Sequence, residues 1–66
     1  MDFKLILDKN GEKQWEAIKG EYIYYICFNI TSNEYIVDIF EGKEHLISEI
    51  TDSYADAEEL CNKEVL

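Results

Sequence analysis

The chain has 66 residues, a net charge of −9, 47% hydrophobic and 14% aromatic residues; that is too rich in large apolar side chains for a disordered acidic segment, and its length sets it as one small domain, residues 1–66, with a thin core. Residues 1–20 balance four lysines against four acids, while residues 21–66 carry eleven acids against Lys43 and Lys63, and arginine is absent. That balance excludes direct binding to a phosphate backbone and favours basic surfaces, and no apolar run approaches the ~20 residues of a membrane-spanning helix.

The first break is Asn10-Gly11, a dipeptide that tolerates positive φ at both central positions of a type I′ turn. It predicts an N-terminal hairpin within residues 1–20 that joins Phe3–Lys9 to Glu12–Ile18, with Asp8 opposite Lys13 and Ile6 opposite Trp15. Gly20 then precedes the most hydrophobic segment, Tyr22–Phe28, in which both alternating faces are apolar. Such a strand belongs at the centre of a sheet, covered on both sides or covered on one side by a partner.

Thr31-Ser32-Asn33 makes the next turn, and Tyr35–Glu41 alternates Tyr35, Val37 and Ile39 with Ile36, Asp38 and Phe40. Gly42-Lys43 fits a type II′ turn and returns the chain along His45–Ile50, with Leu46 and Ile50 expected beside Ile39 and Tyr35. A closing helix is expected over 53–64. Ser53 suits its N-cap with Asp56 three residues on, Tyr54, Ala57, Leu60, Cys61 and Val65 form an apolar stripe, and Lys63 suits the C-terminal end of the dipole. Together these elements predict an α+β fold: an antiparallel sheet of four to five strands with one C-terminal helix packed on one face.

One helix covers one face of a sheet. Ile36, Phe40, Ile47 and half of the Tyr22–Phe28 aromatics, Tyr24 among them, are therefore expected on the other face, where sheet curvature, a second copy in a homodimer, or a partner must cover them.

The candidate chemistry is sparse. Carboxylates cluster on the second hairpin and the helix, but an acid/base pair needs a cleft that a chain this small hardly affords. There is no Asp-x-Asp-x-Asp-Gly calcium loop, and the single histidine, His45, reads as an exposed strand residue, so neither metal nor cofactor is expected. Cys27 and Cys61 form no CxxC pair; two buried free thiols are expected, with a strand-to-helix disulfide as the alternative. The opening Met1-Asp2-Phe3-Lys4 has no apolar signal region, which predicts a cytoplasmic protein. Asn29-Ile30-Thr31 then matches a glycosylation acceptor only by chance.

What remains is protein binding through a negative surface. Same-face carboxylates on a strand stand ~6.5–7 Å apart, close to the phosphate spacing of one nucleic-acid strand. Asp38, Glu41, Glu44, Glu49, Asp52, Asp56 and Glu59 are the expected contact residues for a basic partner. In its size, acidity and Ile/Lys/Asn/Glu/Tyr-rich composition the chain resembles the small anti-defence proteins of phages and mobile elements, notably anti-CRISPR proteins. The resemblance implies a non-enzymatic inhibitor, acting in the host-cell cytoplasm, that blocks the nucleic-acid groove or the activation of a defence nuclease such as a CRISPR effector. The neutral first twenty residues and the many aromatics imply a mixed interface rather than pure charge mimicry. Two alternatives stay open: an oligomeric binder that sequesters a small signalling molecule, and a structural or assembly protein of a phage particle.

Overall fold

Four tight turns set the topology. In the computed structural model, which describes residues 1–64, Asn10 and Gly11 both have positive φ (55° and 82°), as a type I′ hairpin turn requires. Gly20 (62°) and Gly42 (59°) each supply positive φ at the first loop position of a two-residue turn, the II′ pattern. At the remaining connection Asn33 takes positive φ, and the Asn29 side-chain carbonyl accepts the Thr31 N–H at 2.9 Å, an Asx turn. With every connection this short, each strand can only fold back on its predecessor. The result is a five-stranded antiparallel meander in sequence order: β1 (Lys4–Lys9), β2 (Glu12–Lys19), β3 (Tyr22–Asn29), β4 (Glu34–Glu41) and β5 (Glu44–Thr51). The apolar strand β3 is central, as its two apolar faces require.

The helix α1 (Tyr54–Glu64) follows after two residues and lies over β3, β4 and β5. Ser53 caps it: its Oγ accepts the Asp56 N–H at 3.1 Å, and its carbonyl accepts the Ala57 N–H. The expected Val65 contact lies outside the described residues. Beneath the helix sits the whole of the buried core: Ala17, Tyr24, Ile26, Val37 and Ile39 from the sheet, Ala57 and Cys61 from α1. The small side chains at 57 and 61 let the helix backbone settle close to the sheet, and each large core side chain contributes roughly 1.5–3 kcal/mol. Beside the helix N-terminus, Tyr54 packs edge-on against Trp15 (ring centroids 4.8 Å apart), Phe3 and Tyr35, which extends the covered area toward β2.

The register corrects four expectations, and three of them share one cause. β1 and β5 each hold one extra residue. Leu5 pairs with Trp15 and Leu7 with Gln14, so Ile6 is the unpaired residue of a bulge, and Leu5 rather than Ile6 faces Trp15. On β5, Ile47 pairs with Ile39 and His45 with Phe40, which leaves Leu46 in the bulge and sets Ile50 across from Ile36, not Tyr35. A one-residue insertion reverses which face every later side chain meets. Ile47 accordingly packs against the core on the helix side, not on the opposite face where its sequence position first sets it. The fourth correction is Tyr24. It pairs with Ala17 and Ile39 and is fully buried under α1, while Tyr25 takes the other face.

Candidate functional face of the sheet

All seven buried residues lie on the helix side of the sheet, and among the described residues no element covers the other side. The register arranges that open face in rows across the strands. One row holds Ile18, Ile23 and Phe40 with His45. The next holds Lys4, Glu16, Tyr25, Asp38 and Ser48, and a third holds Leu7, Gln14, Cys27, Ile36 and Ile50. Ile18 and Ile50 are 66% and 62% exposed, and Ile23, Tyr25, Cys27, Ile36 and Phe40 are half-buried by their neighbours alone. The face is therefore apolar along β3, with a carboxylate on either side of Tyr25.

Of the two, Asp38 is held by a neighbour. The His45 Nε2–H donates to the Asp38 carboxylate at 3.0 Å, and the ring of His45 stacks on Phe40 with centroids 4.6 Å apart. Phe40 in turn meets Tyr25 edge to face at 5.9 Å. Hydrogen bonding toward Glu16, ahead of partial burial and the negative charges of Glu16 and Cys27, pushes the Tyr25 phenol ionisation up. Partial burial, with Asp38 nearby, also raises the Cys27 thiol above its ordinary value. Cys61 lies beneath α1 on the opposite side of the sheet, so both cysteines are free thiols, as expected, and the alternative of a strand-to-helix disulfide falls away; of the two expected buried thiols only Cys61 is buried, Cys27 being half-buried on the open face.

The seven acids singled out in the sequence do not form one patch. Asp38 stands on the open face. Glu49 pairs with Val37 and so belongs to the helix side of edge strand β5, exposed. Glu41 and Glu44 face each other across the Gly42-Lys43 turn, Asp52 sits in the exposed link into α1, and Asp56 and Glu59 project from the outer side of the helix. Of the four apolar residues assigned to the uncovered face, Ile36 and Phe40 are there and Ile47 and Tyr24 are not. Glu16, Ile18, Ile23, Tyr25 and Cys27 are members that the sequence reading missed. The signal was present: taking Gly20-Glu21 as a two-residue hairpin loop sets Ile18 opposite Ile23 and Glu16 opposite Tyr25.

An open cleft of about 410 Å3 is lined by Met1, Asp2, Ile18, Lys19 and Asn62, and a smaller one of about 230 Å3 by Asp2, Lys4, Glu16, Ala17 and Ile18; neither lining includes a histidine or a thiol. Among the described residues no group of His, Cys, Asp and Glu has metal-ligand geometry, and no helix is long and apolar enough to cross a membrane. No protein-family model, no curated protein and no solved structure matches the chain.

Proposed function

We propose that this chain is a non-enzymatic inhibitor that binds a basic, nucleic-acid-handling protein, of the class a bacterial defence nuclease such as a CRISPR effector represents. One observation carries the reading: the charge is displayed rather than spent internally. Among the described residues no Asp or Glu is buried, and the one ion-pair contact is between Asp38 and a histidine. The carboxylates are fixed to a sheet with turns of two to four residues and to a capped helix, so they meet a cationic groove without first losing the conformational freedom of a flexible tail. Their field speeds encounter, and the aromatics of the open face supply anchors.

The test mixes the protein with purified defence nucleases and a labelled target duplex. Expected are reduced retention and cleavage of the duplex, relieved by raising ionic strength across the Debye range of ~10 Å to ~3 Å. Inhibition that barely weakens in high salt, or nucleases that bind and cut unhindered at saturating protein, would overturn the proposal.

A further inference from the structure

The open face has dimensions that narrow its occupant. Glu16 on β2 and Asp38 on β4 flank Tyr25 on β3, two inter-strand spacings apart, or about 9.5 Å. An α-helix with its side chains is ~10–12 Å across. Between the two carboxylates runs an apolar ridge along the central strand, Ile23, Tyr25 and Cys27, continued sideways by Ile18, Phe40 and Ile36. The other face of the same sheet already takes a helix over β3, β4 and β5.

We infer that the open face is a cradle for a cationic amphipathic helix of a partner protein, laid along β3 with its apolar stripe on Ile23, Tyr25 and Cys27 and with Lys or Arg side chains reaching Glu16 on one side and Asp38 on the other. The inference rests on the reading above and names the element of the partner that is gripped. Charge complementarity selects this occupant. Asp38 is oriented by His45, and both carboxylates keep lone pairs free for a cation. Lys4, cross-strand to Glu16, is the open face's nearest own cation and forms no ion pair with it. A second copy fits poorly: two faces apposed would bring four of these carboxylates into one layer, with −9 on each chain adding to the repulsion. A nucleic acid meets the same carboxylates as like charges.

The test uses a fluorescent 18-residue peptide with leucines at helical spacing and flanking lysines, and a scrambled peptide of equal composition. Anisotropy at ~0.15 M salt should show binding that weakens ~10-fold or more in the E16Q/D38N double variant. It should change less than about 2-fold in D56N/E59Q, which removes the same charge from the helix side. Cys27 is the half-exposed thiol on this face and reports occupancy: its alkylation should slow when the peptide binds, while buried Cys61 stays unreactive throughout. Equal losses in the two double variants, or a scrambled peptide that binds as tightly, would reduce the effect to diffuse charge attraction and overturn the cradle. Protection of Cys27 that grows with protein concentration alone would give the face to a second copy instead. The two proposals fail separately. Duplex-competed nuclease binding that ignores E16Q/D38N sinks the cradle, whereas peptide binding at Cys27 with no effect on any nuclease sinks the inhibitor reading.

Discussion

Tyr24 is the one buried side chain whose polar atom has no protein hydrogen-bond partner among the described residues. Burial, ahead of the nearby Cys61 and Tyr22, pushes its phenol ionisation up. An unpartnered hydroxyl under a helix costs about 1–3 kcal/mol relative to water. Tyr24→Phe should therefore hold or raise the midpoint of urea unfolding; a drop of more than ~1 kcal/mol would show that the hydroxyl has a partner. Its neighbour Cys61 titrates in the same pocket. Burial, with Glu58 adding to it, pushes the thiol up to about 11. The unfolded thiol loses its proton nearer 9, so the folded state holds the extra proton in between. The sign follows: this stability is complete below about pH 9, declines as pH rises, and is lost by about pH 11, a change of roughly 1–3 kcal/mol. Thermal melts across that window should fall less steeply in Cys61→Ala than in the parent, even though the variant starts lower.

Between elements, the most instructive pairs are the ones that look wrong. Glu41 and Glu44 are direct cross-strand neighbours, two like charges at the end of the β4–β5 hairpin. Glu44→Lys turns repulsion into attraction and should stabilise by about 0.3–1 kcal/mol, read as a higher melting temperature at low salt and a smaller gain at high salt. A lower melting temperature would mean that the two carboxylates are kept apart by the twist of the hairpin. The hairpins were legible in the sequence because Asn10-Gly11 and Gly42-Lys43 state their turn chemistry locally, and Ser53 states the start of the helix in the same way. The faces were legible only as far as the first irregularity. Nothing local marks Ile6 or Leu46 as a bulged residue: neither is glycine, and each sits in a run of ordinary strand formers. The insertion is decided by the sheet's twist and by which side chain, Leu46 or Ile47, fits beneath α1. That is a tertiary competition, and it moved Ile47 from one side of the sheet to the other. The open face was misread for a different reason. Tyr22–Phe28 is apolar at every position before Asn29, so alternation alone does not say whether Tyr24 or Tyr25 goes inward; the partners Ala17 and Ile39 decide it.

Across the whole molecule the charge is self-repulsive. With a net charge of −9 and one His–Asp hydrogen bond as the only contact between a basic and an acidic side chain among the described residues, screening should help folding more than it hurts. The melting temperature is expected to rise between ~0.01 M and ~0.15 M sodium chloride, as the Debye length shrinks from ~30 Å to ~8 Å. A fall over the same range would expose stabilising ion pairs that the geometry does not show. The same repulsion opposes close contact between copies of the chain.

The extra residues Ile6 and Leu46 have one more consequence. They fall on the two outermost strands, the only ones with unpaired backbone amides and carbonyls along one side. A kinked, over-twisted rim is a bad template for an incoming strand, so the meander cannot readily recruit further chains side by side into a growing ribbon. A chain this rich in β-forming residues is thereby guarded against fibre growth at its margins.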